Sequence, residues 1–457
     1  MKPYKLALFI FRRDLRLVDN TALLRALSEA ERVLPIFIFD PRQIEDHKFR
    51  SKNALQFMAA ALQELSADIA AAEGQLYFFS GKPDEVTGKL IESEKLQAVF
   101  VNADYTPFSR ERDQRLAELC SGKGIPLISC HDALLTYPGE VLKPDGQPYT
   151  MFTPFFRRAV SRAPSAPVTT KPAGFVSGRI NGALEHPWEG LLQSLNPQLS
   201  VTGSRQAALS VLKKLDRFQN YSVERDLPAL SATTLLSAHN KFGTVSIREV
   251  FWAISQALGP QHPLLRQLYW RDFFYQIAFH FPHVFKGAFH PKYDALPWED
   301  DQSKFEAWCA GRTGFPIIDA GLRELNTTGF MHNRVRMIAA SFLVKDLHCN
   351  WQAGERYFAS QLTDYDPAVN NGNWQWAAST GCDAQPYFRV FNPLLQQKRF
   401  DPDCVYVKRW IPELEQLSSK QILTLYDAAK ADRSGYFPLL VDHAEAKERA
   451  EDMFKEL

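Results

Sequence analysis

The 457 residues are 45% hydrophobic and 23% charged, a globular composition long enough for two or three domains with sizeable cores. Lys+Arg 53 against Asp+Glu 52 leaves a formal charge of +1, which excludes a globally basic coat for nucleic acid but not a local basic groove. No stretch approaches the ~20 unbroken apolar residues of a membrane span. The apolar run Leu6–Phe11 leads straight into Arg12, Arg13 and Asp14, unlike a signal peptide.

Up to residue 132, short β-rich runs alternate with amphipathic stretches. Lys5–Phe11, Val33–Asp40, Gln75–Ser80, Ala98–Asn102 and Pro126–Ser129 read as strands. Thr21–Ser28, Asn53–Ala72, Pro83–Glu94 and Ser109–Ser121 carry helical periodicity. The alternation predicts a doubly wound, five-stranded parallel sheet over 1–132, with ligands at its carboxyl edge. Neither G-x-G-x-x-G nor G-x-x-x-x-G-K-[ST] follows the first strand, so a standard dinucleotide fingerprint and a P-loop are unsupported. From 133 to 204 the texture turns to Pro, Ser, Gly and Thr, which reads as a long interdomain linker. From 205 to 457 helical patterns dominate: Arg205–Leu215, Ser246–Leu258, Leu264–His280, Ala320–Leu325 and Met331–Asp346.

The six cysteines show no C-x-x-C pair, which points to isolated buried thiols rather than zinc, an iron–sulfur cluster or a disulfide framework. The cytosol is the natural compartment. Leu264–Pro393 is dense in Trp, Arg, Asn and Asp and lacks H-E-x-x-H and G-x-S-x-G. Chemistry there falls to a bound cofactor. Within Asp364–Trp376, carboxylates can accept from an imide N–H and Asn amides can meet a ring nitrogen, as a flavin edge requires. The same residues also read as an Asn-Gly turn followed by core tryptophans. Helical spacing over Met331–Met337 places Asn333 with Met337 and His332 with Arg336, and a buried Arg336 would take Asp364 or Asp366. Thr233-Thr234-Leu235-Leu236-Ser237 offers hydroxyls and N–H groups to phosphate, or an ordinary N-cap.

Together these segments resemble the photolyase/cryptochrome family of flavoproteins, closest to its class I cyclobutane pyrimidine dimer photolyases. The resemblance starts at Phe11–Asn20 and continues through Tyr149–Phe156, Tyr221–Leu227 and Leu236–Ser246. It is strongest at Thr313–Ala320, Thr328–Met337 and Asp364–Pro393. It implies a helical domain holding bent FAD. Tyr221, Thr233, Thr234, Leu235, Leu236 and Ser237 would hold the pyrophosphate and ribityl chain, with Arg271 close by. Asn333, Arg336, Asp364 and Asp366 would surround the flavin and ribose. Asn370 would face the central-ring nitrogen; the plant photoreceptors typically carry Asp there, so Asn370 favours a repair enzyme. Trp374, Trp351 and Trp298 align, in that order outward, with the family's electron-hopping chain.

By the same resemblance, Trp270 and Trp376 flank a flipped dimer, since a lesion must leave the stack to reach a buried flavin. The (6-4) photolyases carry two histidines at the positions of Asn333 and Met337, so both positions favour cyclobutane dimers. Gln267 stands where cyclobutane-dimer enzymes usually have Glu and (6-4) enzymes usually have Gln. Arg225, Arg334 and Arg389 by alignment, and Lys398 and Arg399 by charge, would form a basic rim for DNA. Asn102–Phe108 is the candidate stretch for an antenna chromophore (a folate, a deazaflavin or a flavin), with Thr106 where folate-binding members use Glu. The expectation is a cytoplasmic, monomeric repair lyase in which reduced anionic FAD passes an electron to a cyclobutane dimer in DNA. The alternatives are a (6-4) photolyase and a cryptochrome-type photoreceptor.

Overall fold

A computed structural model describes residues 2–45, 47–169, 172–185, 187–188, 195–299, 301–383, 389–425 and 435–456. Its contacts divide the chain into two compact units. The first comprises 1–195, 201–219 and 234–282; the second comprises 196–200, 220–233 and 283–457.

The first unit is built on five strands: β1 (Tyr4–Phe11), β2 (Ala30–Phe39), β3 (Tyr77–Ser80), β4 (Ala98–Asn102) and β5 (Leu127–Cys130). They pair in parallel in the order β3-β2-β1-β4-β5. Alternate residues of β1 serve opposite faces. Phe9 and Phe11 pack with Leu23, Phe57 and Leu62, whereas Leu8 and Ile10 pack with Val86, Leu90 and Leu116. A sheet covered on both sides needs strands apolar throughout, which is why these runs stand out in the sequence. The covering helices are Thr21–Glu29, Lys52–Ala71, Pro83–Glu94 and Pro107–Gly122. Asn20, Ser51 and Thr106 cap three of them by accepting from Leu23, Ala54 and Ser109 N–H.

The expected boundaries at 132/133 and 204/205 do not separate the two units. Residues 133–169 and the helices Phe152–Ala159, Arg205–Leu212, Ile247–Leu258 and Pro263–His280 all lie with the sheet. Buried polar contacts provide the physical reason. Arg248 pairs with Asp19 and Asp132, each at 2.9 Å, and Arg16 pairs with Asp132 at 2.6 Å. Asp272 accepts from Thr136 N–H at 2.7 Å, and Gln276 Nε2 donates to the Tyr137 carbonyl at 2.9 Å. Polar pairing between distant residues leaves no hydrophobic periodicity for a sequence reading to detect.

The second unit is helical around one core. Its principal helices are Pro316–Thr328, Asn333–Lys345, Trp351–Gln361, Pro367–Ala378, Pro393–Phe400 and His443–Lys455. Trp308, Trp351, Trp374, Phe342, Phe358 and Tyr406 are among the buried side chains that fill it. Asp319 fixes one end by accepting from Thr313 N–H (2.7 Å), Gly314 N–H (3.0 Å) and Tyr436 O–H (2.6 Å). Among the described residues no helix is long and apolar enough to cross a membrane.

Candidate functional site

The helix Pro367–Ala378 opens at Asp366, with Pro367 supplying a first-turn φ. Asn370-Asn371-Gly372-Asn373 lies inside this helix, so the Asn-Gly turn expected from the sequence is not formed. A buried amide network overrides the local preference. Asn371 Nδ2 donates to the Val284 carbonyl at 3.0 Å and to Glu355 Oε1 at 3.1 Å. Gln375, one turn on, donates to Val284 and Asn371 and accepts from Phe289 N–H at 2.7 Å.

Asn370 and Trp374 share the neighbouring stripe of that helix, one turn apart. Asn370 is buried and its Nδ2 donates to the Glu355 carbonyl at 3.2 Å, which leaves Oδ1 as an acceptor. Trp374 lies against Gly354 of the helix Trp351–Gln361, and Trp351 is one turn before Gly354 on the same face. A short parallel bridge, Glu299↔Cys349, with Glu299 N–H donating to His348 at 2.8 Å, brings Trp298 to the start of that helix. The structure therefore places Trp374, Trp351 and Trp298 on successive neighbouring elements of one unit. Trp351 and Trp374 are buried, and Trp298 is half-buried.

The helix Asn333–Lys345 begins two residues later than the periodicity over Met331–Asp346 suggests. His332 is its N-cap, with Nδ1 accepting from Arg334 N–H at 3.2 Å, and so does not share a helical face with Arg336. Burial holds the His332 imidazole down at a pKa of about 4, hence neutral. Arg336 is bidentate to Asp364, at 3.2 and 3.0 Å, and also donates to the Met331 carbonyl at 2.7 Å. Asp364 is thus the carboxylate chosen, and Asp366 is buried at the next helix's cap. Exposed Asn333 brings Nδ2 to 3.8 Å from Met337 Sδ. Arg334 pairs with Asp226 at 3.0 Å and lies over Phe400, while Arg225 stands 4.0 Å from the same Asp226. Tyr221 is buried under the Arg225 guanidinium, Trp376 packs partly buried on the core, and Arg389 is exposed. Thr233 belongs to this unit, and the division falls between it and Thr234.

In the first unit, Leu235 is held at φ 54°, a left-handed conformation that costs a leucine about 1–2 kcal/mol. This bend precedes the short helix Ser237–Phe242, and Leu236 N–H donates to Thr234 Oγ1 at 3.4 Å. Arg271 donates to the carbonyls of Ala133 (2.5 Å) and Asn240 (3.2 Å), so it grips the short helix that follows the Thr/Ser run. Gln267 and Trp270 lie one turn apart on Pro263–His280, both half-buried.

The first unit also holds a buried charged cluster where β1 and β4 end. Arg12 and Arg112 both pair with Asp113, and Arg13 pairs with Asp104 at 3.4 Å. Burial would raise the Asp104 carboxyl, but Arg13, Arg112 and Arg12 hold it well below the usual range. Arg12 Nε and Arg112 Nη2 are buried without a hydrogen-bond partner. Thr106 Oγ1 is engaged as the cap of Pro107–Gly122.

Comparison with known proteins identifies the family. The family model "DNA photolyase" matches residues 7–173, and "FAD binding domain of DNA photolyase" matches 264–456. A deoxyribodipyrimidine photo-lyase of Alkalihalophilus pseudofirmus is 35% identical, with 97% of each chain covered. The chain belongs to the DNA photolyase family. An archaeal photolyase from Sulfolobus tokodaii, described with two FAD molecules, aligns at 39% identity and TM-score 0.89, covering 99% of this chain and 100% of that one. A bacterial class III photolyase from Agrobacterium tumefaciens aligns at 34% identity and TM-score 0.92, covering 100% and 98%. Membership thus brings an FAD-binding domain, and the donor set fits that group. The Arg336–Asp364 pair combines fixed donors with a carboxylate, and with Asn370 Nδ2 donating to Glu355, the amide oxygen Oδ1 is the group suited to accept from a ring N–H. Gly354 and the Asn371–Gln375 network carry no recognisable motif; a glycine three residues after Trp351 and next to Glu355 is their sole trace in the sequence.

Proposed function

We propose that this protein is a light-driven DNA repair lyase that reopens cyclobutane pyrimidine dimers. The observation that carries the lesion choice is the pair Asn333–Met337. An amide and a thioether in contact at 3.8 Å stand where a (6-4) enzyme needs acid–base imidazoles. Bound, reduced FAD supplies the photoexcited electron that opens the cyclobutane ring and takes it back, so no net redox change accompanies repair.

The chain's own residues hold, orient and resupply. Arg336 and Asp364 would fix the flavin against rotation, and Asn370 Oδ1 would face the central-ring nitrogen and accept a hydrogen bond from its N–H. Tyr221, the Thr233–Ser237 run and Arg271 would hold the phosphate side. Trp374, Trp351 and Trp298 would pass electrons inward, a role that indole's ready oxidation and their neighbouring elements support. Trp270 and Trp376 would wall the lesion, with Gln267 donating and accepting at the thymine imide. Arg225, Arg334 and Arg389 would meet phosphates, with Asp226 holding the first two in place until DNA arrives. Functionally we divide the chain into an antenna-binding part (1–132), a connection (133–204) and an FAD- and DNA-binding part (205–457). Partnerless buried atoms of Arg12 and Arg112 at the carboxyl edge of the sheet support an antenna chromophore with anionic or carbonyl groups there. Its DNA substrate supports a cytoplasmic enzyme, and we take the working species to be the monomer.

Gln267 favours a second reading, repair of the (6-4) lesion, and one assay separates them. The FAD-loaded, reduced protein is illuminated with oligonucleotides bearing either lesion, and the return of pyrimidine absorbance is followed. Recovery with the cyclobutane dimer alone is expected. Recovery with the (6-4) product alone would transfer the assignment, and recovery with neither would leave a cryptochrome-type photoreceptor.

A further inference from the structure

The helix Phe152–Ala159 comes from the stretch that the sequence marks as a connection, yet its first residue touches the proposed lesion wall. The Phe152 ring stacks on Trp270 with centroids 3.6 Å apart and planes inclined by 8°. Phe152 itself is 1% exposed. Phe156, one turn on, stacks on Phe152 at 5.6 Å, and the Arg266 guanidinium lies 5.1 Å from Phe152 and 5.2 Å from Phe156. Arg266, Trp270 and Phe273 form one stripe of Pro263–His280, and Phe152 and Phe156 form the facing stripe. Phe273 and Phe274 flank the indole at 5.8 and 5.7 Å.

An indole anchored at its Cβ turns about two torsions, and a base that stacks on it must first stop that motion. A parallel ring at van der Waals distance removes the motion beforehand. It also covers one indole face, so a stacking base is directed to the other. We propose that Phe152 is a positioning residue for the lesion, fixing the plane of Trp270 and reserving its opposite face for an extruded pyrimidine pair. The proposal rests on Trp270 being a wall of the lesion site. A purely structural Phe152 would matter for stability and be indifferent to damage in the DNA.

The test compares binding of FAD-loaded protein, in the dark, to dimer-bearing and undamaged oligonucleotides of the same sequence. Phe152→Leu and Phe152→Met both fill the space without a ring, so a folding failure in one leaves the other to measure. In these variants affinity for the dimer should fall about three- to tenfold, the range of a lost aromatic pair. Undamaged DNA should bind as before, and Phe152→Tyr should restore the wild-type ratio. A damaged-to-undamaged ratio that is unmoved in Phe152→Leu and Phe152→Met but collapses in Trp270→Leu would overturn the role of Phe152. A ratio unmoved in all three would overturn the reading of Trp270 itself, and the proposal with it.

Discussion

Gly354 has no room for a methyl group because of Trp374. A Cβ built on Gly354 would lie 2.2 Å from Trp374 Cη2, 2.6 Å from Cζ3 and 2.5 Å from Leu343 Cδ2. The glycine thus sets the distance between the indole and the helix that carries Trp351. Gly354→Ala should overpack the site, at a cost of about 1–3 kcal/mol in urea unfolding, and displace Trp374. Photoreduction of the bound flavin should slow severalfold, whereas repair by chemically pre-reduced enzyme should hold near the wild-type rate. Unchanged photoreduction in a folded variant would remove Trp374 from the electron route.

Gln267 lies one turn before Trp270 on the helix Pro263–His280, so under the proposed function its amide would address the lesion that the indole walls. A carboxyl there can supply or stabilise charge as the ring opens, which an amide cannot. Gln267→Glu should therefore maintain or raise cyclobutane-dimer repair under blue light and give no gain with the (6-4) product. A clear loss of dimer repair would show that the amide is adapted to a different lesion.

Asp132 shares a buried cluster with two cations, Arg16 at 2.6 Å and Arg248 at 2.9 Å, and with a second anion, Asp19, 2.9 Å from Arg248. Burial pushes its carboxyl up, but Arg16 and Arg248 prevail and hold it down at about 2. A depressed acid contributes stability above its unfolded value of about 3.9, and the contribution is lost as pH falls towards 2. Asp132→Asn would leave two buried guanidiniums undercompensated, a loss of about 3–5 kcal/mol at neutral pH. Its urea midpoint should fall accordingly, and the acid arm of stability between pH 4 and 2 should flatten relative to wild type.

Much of this architecture is legible in the sequence where one physical signal dominates. All five strands and the helix Pro83–Glu94 announce themselves because apolar runs bounded by turn residues and caps encode them locally. The Arg336–Asp364 pair follows from the rule that an arginine inside a helix bundle needs a carboxylate. The helix through Asn370–Asn373 is hidden because its propensity favours a turn and the partners of its stabilising amides come from residues 284, 289 and 355. The unit boundaries were hidden for the same reason: Asp132–Arg248 and Thr136–Asp272 join residues more than a hundred positions apart, and nothing in a window of fifteen residues reports them.

Asp272 differs from Asp132 in lacking a strong cationic partner. Oδ2 accepts from Thr136 N–H at 2.7 Å and from Thr136 Oγ1 at 3.2 Å, while Oδ1 is buried without a partner. Burial pushes this carboxyl up to about 7, against the smaller opposing pull of Arg271 and the Thr136 hydrogen bonds. Tyr105 and Tyr269 also face it, and its charge adds to the burial that pushes their phenols up. A raised acid favours the protonated folded form, so its contribution is present below about pH 4 and is lost as pH rises through 7. Asp272→Asn keeps an acceptor for Thr136 and puts an uncharged amide where the buried carboxylate would be. Stability of the variant should be close to wild type near pH 5 and exceed it above pH 7.5, with the difference growing across that interval in thermal unfolding. A variant less stable than wild type at pH 8 would show that the ionised carboxylate, and not the neutral acid, holds the 136–139 strap on its helix.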